Sequence, residues 1–158
     1  MIVVPYTKPH DLLKTLLRRY GFSPSYIDVS EDAEAYWRLL KRLWQDNKSF
    51  VLIEHDILPW PGAIEELRQC PGSWCAYSYD QCGIGLYHSF GCTKFSAGLI
   101  EELPDIWTRM NRHWSQLDQQ FEWLAFQAGI RPHHHRPAVI HLHDYSEPEN
   151  LNPATLLR

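Results

Sequence analysis

Apolar residues occur along the chain in two alternating patterns, short continuous runs and longer stretches with helical spacing. The continuous runs predict four strands in the first part of the chain, over residues 1–6, 25–30, 49–57 and 73–80. Between them, leucines and aromatic residues recur every three or four positions, which predicts helices over 8–22, 31–44 and 61–70. Alternating strands and helices predict an α/β fold with a mostly parallel sheet flanked by helices.

The later part of the chain contains fewer clear elements. Helical spacing over 96–103 and 115–130 predicts two further helices, and Gly129 is suited to end the second of them. A last strand is predicted over 136–146. The remaining residues, 147–158, are expected to form a loose tail or a lid.

Polar residues predict where two of the helices begin. Ser30 is expected to cap the second helix, with Glu31 and Asp32 in its first turn, where acids favour the positive end of the helix dipole. In the segment SQLD, Ser115 would cap the later helix and Asp118 would complete a capping box. The other interpretation of Asp118 is a general base that the helix start keeps ionised.

Several polar residues follow the predicted strands directly. Ligands bind beyond the carboxyl ends of parallel strands, and this topology brings Thr7, Asp28 and Glu54-His55-Asp56 to one edge of the sheet. On an extended strand end, Glu54 and Asp56 would point to one side and His55 to the other. Two carboxylates on one side repel each other, and Mg²⁺ or Mn²⁺ would relieve that repulsion. The alternative is an ordinary solvated loop.

Histidines near the end of the chain provide a second set of candidate ligands. His141 and His143 lie two residues apart on the predicted last strand, so they share a face and could converge on a metal. The alternative is a pair of surface histidines on an edge strand. Three consecutive histidines, at 133–135, point in different directions, which predicts a surface loop. A role for His135 or Arg136 near a diphosphate stays open.

Composition narrows the classes of function. The 158 residues fit one domain, and a net charge of −4 without a basic block argues against a broad nucleic-acid-binding face. Seven tryptophans and eight tyrosines indicate an aromatic core or, alternatively, a stacking surface for a sugar or a base. No signal peptide opens the chain, and no run approaches the roughly 20 apolar residues that span a bilayer.

The four cysteines, at positions 70, 75, 82 and 92, include no CxxC pair, which argues against a zinc ribbon. We therefore expect a cytoplasmic protein with reduced thiols, and a Cys70–Cys75 bridge is the alternative.

Four segments, taken in order, resemble the GT-A-fold glycosyltransferases, family 2-like, which use nucleotide-sugar donors. The apolar strand that ends in Glu54-His55-Asp56 is similar to the family's DXD motif, with Glu in the first acidic position. FGCTKFSAGLIEELP looks like its small-residue acceptor segment, with Gly91-Cys92 where Gly-Gly is common. QLDQQFEWLAFQAG resembles the acidic motif that opens a helix, with only its second acid, Asp118, present. VIHLH is similar to the late histidine of the metal site.

The resemblance implies one minimal GT-A-like (Rossmann-like) catalytic domain over residues 1–146. It implies transfer of a sugar from a nucleoside-diphosphate sugar, with a UDP-sugar as the first candidate, to an acceptor hydroxyl. Asp118 would act as the base, which implies inversion at the sugar carbon. Bound Mn²⁺ or Mg²⁺ would be held by Asp56, Glu54, His141 and His143. The donor-contacting set that it implies is Pro5, Thr7, Asp28, Glu54, His55, Asp56, Gly91 and Cys92.

The nature of the acceptor stays open among a glycan, a small molecule, a protein and a modified nucleobase. Two other functions also stay open. One is another metal-dependent nucleotide enzyme, a nucleotidyltransferase or a phosphohydrolase, which would need no acceptor base. The other is a non-catalytic α/β binding protein whose histidines are surface residues without a functional role.

Overall fold

A computed structural model of the chain describes residues 1–8, 11–80, 86–87, 90–136 and 138–142. Its strands are β1 (Ile2–Tyr6), β2 (Ser25–Asp28), β3 (Phe50–Ile53), β4 (Ile57–Pro59), β5 (Trp74–Tyr77), β6 (Tyr79–Asp80), β7 (Leu86–Tyr87), β8 (Cys92–Phe95), β9 (His133–His135) and β10 (Val139–His141). Its α-helices are α1 (Asp11–Arg19), α2 (Ala35–Gln45), α3 (Ala63–Gln69), α4 (Ala97–Glu102) and α5 (Leu117–Gln127). Short 3₁₀ turns span Ile106–Arg109 and Trp114–Gln116.

Within the described part of the chain, the central sheet has six strands in the order β2-β1-β3-β8-β5-β9. Neighbouring strands are parallel except at β8, which runs antiparallel to both β3 and β5. The predicted mostly parallel sheet flanked by helices is therefore confirmed. Two small antiparallel sheets pair β4 with β10 and β6 with β7.

Apolar side chains cover both faces of the central sheet. All four residues of β3 are buried, Phe50 and Leu52 in one core cluster and Val51 and Ile53 in the other. Helices α2 and α5 supply residues to the first cluster, and α1 and α3 supply residues to the second. The first cluster also contains four of the seven tryptophans, at positions 37, 44, 74 and 107, which confirms for these residues the interpretation as core.

Two predicted boundaries are wrong because side chains and turns compete with regular structure. Ser30 does not cap a helix, since its N–H and its hydroxyl both donate to Asp28 Oδ1, and α2 begins only at Ala35. The predicted strand over 49–57 is interrupted where the Ile57 N–H donates to the Glu54 carbonyl at 3.0 Å. This turn separates β3 in the central sheet from β4 in a small one.

The later helix also begins differently from the prediction. Ser115 lies in a 3₁₀ turn that precedes α5, and the His113 ring accepts the Ser115 N–H. The capping-box interpretation of Asp118 is therefore wrong, because the residue before α5 is Gln116. The predicted end of the helix is confirmed, since Gly129 has a φ of 80°, a conformation that glycine adopts without a steric penalty.

Residues 133–135 form an edge strand instead of a loop, because β9 pairs in parallel with β5. Cys70 and Cys75 form a disulfide, so the expectation of fully reduced thiols is wrong for this pair, and Cys92 is a buried free cysteine. The predicted ligand His143 and the tail over 147–158 lie outside the described residues. No described helix is long and apolar enough to cross a membrane.

Candidate functional site

A cavity of about 550 Å³ lies at the carboxyl ends of the first parallel strands. It is lined by Pro5 and Thr7 from the end of β1, by Val29 and Ser30 after β2, and by the turn of Glu54, His55 and Asp56 after β3. Its other lining residues are Asp32, Ala33, Tyr36 and Trp114. The ends of β1, β2 and β3 therefore lie together at one edge of the sheet, as predicted.

A second cavity of about 270 Å³ adjoins the first. The two cavities share four lining residues, which are Tyr36, Glu54, Asp56 and Trp114. The smaller cavity also contains the predicted base, Asp118, and one predicted metal ligand, His141. The other residues that line only the smaller cavity are Tyr79, Phe90, Ser115, Leu117 and Gln119. Residues that are 64 positions apart in the chain, Glu54 and Asp118, thus line one space.

Glu54 is held in place from two directions. Its carboxylate accepts the Tyr36 hydroxyl at 2.8 Å, and its backbone N–H donates to the Gly91 carbonyl at 2.8 Å. Burial, with the negative charges of Asp56 and Asp118 nearby, raises the pKa of Glu54 to about 8. Two carboxylates that raise the pKa of a third in this way favour a proton or a cation beside Glu54.

Asp56 pairs with His141 across the small sheet. β4 and β10 are antiparallel, with Ile57 opposite His141, which brings the preceding residue, Asp56, beside the imidazole. Asp56 Oδ2 lies 3.2 Å from His141 Nε2. Burial favours protonation of Asp56, but the hydrogen bond to His141 and the charges of His141 and His55 outweigh it, so the pKa of Asp56 lies below its usual value.

The donor set around Asp56 fits a divalent cation in part. Asp56 Oδ1 is buried and has no hydrogen-bond partner within the described part of the chain, so a carboxylate oxygen is available to a hard cation. Imidazole accepts Mn²⁺. Among the described residues, however, Asp56, His141 and Glu54 do not converge as a three-residue set of ligand atoms within 4.8 Å. The described residues therefore offer a divalent cation one carboxylate, Asp56, and one neighbouring imidazole, His141.

Asp118 lies in the first turn of α5, where the helix dipole favours a negative charge. Its Oδ1 accepts the Gln119 N–H at 2.8 Å. The side chain is half-buried and lines the smaller cavity. A carboxylate in this position can accept a proton from a hydroxyl that enters the cavity.

His55 is placed differently from the expectation. An extended strand would point His55 away from the two carboxylates, but residues 54–57 form a turn, in which side chains do not alternate. His55 therefore lines the larger cavity together with Glu54 and Asp56.

Three expected donor-contacting residues line neither cavity. Asp28 is exposed, and its carboxylate instead holds Ser30, which does line the larger cavity. Cys92 is fully buried in the core, and burial raises the pKa of its thiol to about 12. A Cβ atom on Gly91 would lie 2.6 Å from the Tyr79 ring, so the small residue makes room for that ring and not for a ligand.

We predict that Gly91→Ala destabilises the protein by about 1–3 kcal/mol, because a Cβ must displace the buried Tyr79 ring or the strand that carries it. Gly98→Ala is the matched control, since among the described residues the atom nearest to its Cβ would be Ser96 Oγ at 3.7 Å. In α4 this change is expected to be neutral or to stabilise by up to about 1 kcal/mol. Urea unfolding of both variants measures the difference. Equal midpoints would contradict the prediction.

Two of the four residues in the wall that the cavities share were not identified from the sequence. Tyr36 lies in the apolar stripe of α2, a pattern that indicates a core residue and gives no sign that its hydroxyl donates to Glu54. Trp114 is 60% exposed and lines both cavities. Its sequence signal is a large aromatic residue in the polar segment NRHWSQ, where no core position is expected.

No family model and no curated protein match the sequence, but solved structures do. One is a glycosyltransferase involved in the glycosylation of the major capsid of PBCV-1, which is 13% identical and has a TM-score of 0.58, with 89% of this chain and 92% of that chain covered. Another is A197 from STIV, which is 9% identical and has a TM-score of 0.54, with 87% and 81% covered. These likenesses show the fold, which is GT-A-like, as predicted.

Proposed function

We propose that the chain is a metal-dependent glycosyltransferase that moves a sugar from a nucleoside-diphosphate sugar, a UDP-sugar first among them, to an acceptor hydroxyl. The observation that carries the proposal is the pair of adjoining cavities with Glu54 and Asp56 in their shared wall. The larger lies at strand carboxyl ends, where nucleotides bind in α/β folds, and its size of about 550 Å³ suits a small-molecule site. The smaller contains an acid suited to deprotonate an acceptor.

The larger cavity supplies the donor contacts of this proposal. Thr7 and Ser30 provide hydroxyl groups, and Tyr36 and Trp114 provide aromatic surface, which suits a nucleoside. Asp56 and His141 would hold Mn²⁺ or Mg²⁺, with Glu54 facing the ribose or the water shell of the ion. The bound ion would neutralise the charge that develops on the diphosphate leaving group.

Asp118 would carry out the proton transfer in the smaller cavity. The acceptor oxygen attacks the anomeric carbon, the bond from that carbon to the diphosphate oxygen breaks, and the hydroxyl proton passes to the Asp118 carboxylate. Attack from the side opposite the leaving group inverts the sugar carbon. The electron pair of the broken bond leaves with the nucleoside diphosphate.

The proposal predicts that the purified chain releases nucleoside diphosphate from at least one nucleotide sugar and that the release needs Mn²⁺ or Mg²⁺. Water replaces the acceptor in this assay, so the turnover is slow but measurable. A panel of UDP-, GDP- and dTDP-sugars, with and without chelator, provides the measurement, and p-nitrophenyl phosphate is assayed in parallel. Cleavage of the phosphoester with no binding or turnover of any nucleotide sugar would replace the proposal with a phosphohydrolase.

A further inference from the structure

A second cluster of ligand-type side chains lies outside both cavities. Cys70 follows α3, Cys75 lies in β5, and His135 lies in the edge strand β9 that pairs with β5. One potential ligand atom from each residue lies within 4.8 Å of the other two. None of the three residues lines either cavity of the candidate site. The cluster therefore needs an explanation of its own.

The imidazole of His135 is oriented by a carboxylate. Its side chain is only 7% exposed, and its Nδ1 lies 2.6 Å from Glu66 Oε1. The other oxygen of Glu66 accepts the Tyr77 hydroxyl at 2.6 Å, which fixes the carboxylate. An Nδ1–H that donates to Glu66 leaves the lone pair on Nε2.

His135 Nε2 is buried and has no hydrogen-bond partner within the described ranges. A buried nitrogen lone pair without a partner is costly, because it has lost its hydrogen bond to water. A histidine that donates one N–H to a carboxylate and presents its other nitrogen to a metal is the usual arrangement of metal-binding imidazoles. The orientation of His135 thus points to a ligand on Nε2.

We propose that reduction of the Cys70–Cys75 disulfide creates a Zn²⁺ site made of the two cysteine sulfurs and His135 Nε2, with Glu66 as the positioning residue behind the imidazole. A dithiol reductant supplies the two electrons and two protons that convert the disulfide to two thiols, and it becomes a disulfide itself. Zn²⁺ then binds both sulfurs as thiolates, and the two thiol protons leave to solvent.

The local backbone accommodates this change. Two sulfurs on one tetrahedral zinc lie roughly 3.8 Å apart, as follows from a Zn–S bond of about 2.3 Å. The Cα atoms of Cys70 and Cys75 are 6.8 Å apart, which leaves room for the sulfurs to separate. Gly72 lets the loop close around them, since a Cβ there would lie 3.0 Å from the Cys75 sulfur. Three protein ligands leave the fourth zinc position to water.

The chemistry of this cluster separates it from the candidate site. Thiolates prefer Zn²⁺ and disfavour Mg²⁺ and Mn²⁺, whereas the acid-rich cavities prefer the harder ions. In the reverse exchange, the disulfide form of the dithiol accepts two electrons from the two thiolates and two protons from solvent, the Cys70–Cys75 disulfide forms again, and the zinc is released. The inference does not rest on the proposed glycosyl transfer, since it involves different residues and a different metal.

The test is metal binding by the whole chain after reduction with a dithiol, removal of the reductant under anaerobic conditions, and titration with Zn²⁺ against a chromophoric chelator. We expect one tight equivalent in the reduced protein and none in the oxidised protein. Co²⁺ in place of Zn²⁺ should give a thiolate-to-cobalt charge-transfer band. Absence of a stoichiometric equivalent in the reduced protein would overturn the proposal.

Substitutions at single residues test whether zinc binding depends on the proposed ligands or on other histidines and cysteines. Cys75→Ser and His135→Asn should lose tight binding, whereas His134→Asn, on the same strand, and Cys92→Ser, at the buried free thiol, should retain it. Glu66→Gln keeps all three ligands and should weaken zinc binding by about 10- to 100-fold, which tests the geometry even where a ligand variant fails to fold. Unchanged affinity in both His135→Asn and Glu66→Gln would overturn the proposal.

Discussion

Asp118→Asn is expected to lower donor hydrolysis by about 10²- to 10⁴-fold while the affinity for the nucleotide sugar stays unchanged. The amide has nearly the shape of the carboxylate but cannot accept the proton, and Asp118 lines only the smaller cavity, away from the expected nucleoside. Turnover of the best donor with water as acceptor gives the rate, and calorimetric titration with the donor and Mn²⁺ gives the affinity.

The control is Asp105→Asn, the same chemical change at an exposed carboxylate that lines neither cavity. The amide oxygen in Asp118→Asn can still accept the Gln119 N–H, so melting temperatures of both variants show whether the loss of the negative charge disturbs the start of α5. A full rate in Asp118→Asn would leave Asp118 with a structural role only and would remove the argument for a base in the smaller cavity.

Asp56→Ala is expected to abolish the metal-dependent part of nucleotide binding and so to lower the nucleotide affinity in the presence of Mn²⁺ by at least about 100-fold. Residues that only contact a metal ligand already change metal affinity by about 10- to 100-fold, and the loss of a ligand itself should cost at least as much. Asp56 provides a buried carboxylate oxygen that has no hydrogen-bond partner among the described residues, and its other oxygen contacts His141. The protein is titrated with UDP once in the presence of Mn²⁺ and once in the presence of chelator. The difference between the two affinities is the metal-dependent part of nucleotide binding.

Removal of the Asp56 carboxylate also removes the contact of its Oδ2 with His141 Nε2, and the loss of such a buried hydrogen bond costs about 1–3 kcal/mol. Asp56→Asn separates this effect from metal binding, because the amide oxygen still accepts from His141 while the negative charge is lost. Asp105→Ala is the control for the loss of one charge. Nucleotide binding that responds equally to Mn²⁺ in Asp56→Ala and in the unmodified chain would exclude a metal site at this turn.

The sequence predicted the fold class because the apolar runs and the helical stripes are local patterns. β3 is a continuous run buried on both faces, and it lies in the sheet as expected. The meeting of Thr7, Glu54 and Asp56 also followed from topology alone, since parallel strands end at one edge. What the sequence did not contain was the choice between a strand and a turn at 54–57, where one backbone hydrogen bond decides the outcome.

Long-range pairing explains most of the remaining differences. The contact of His141 with Asp56 depends on the register of β4 and β10, which local alternation does not specify. The same holds for His135, which reaches Cys70 and Cys75 only because β9 pairs with β5. An isolated run of histidines does not reveal a partner strand, and for that reason 133–135 was predicted to be a loop.

The turn at Glu54–Ile57 also has a mechanical consequence. Glu54 follows β3 directly and bonds to the Gly91 carbonyl beside β8, so it moves with the central sheet. His141 lies in β10 of the small sheet, and Asp56 directly precedes β4 of the same sheet, where its carbonyl accepts the Leu142 N–H. A shift of the small sheet relative to the central one would therefore move Asp56 and His141 together and change their distance from Glu54. The turn thus joins two separately anchored groups, Glu54 at the central sheet and the aspartate–histidine pair at the small one.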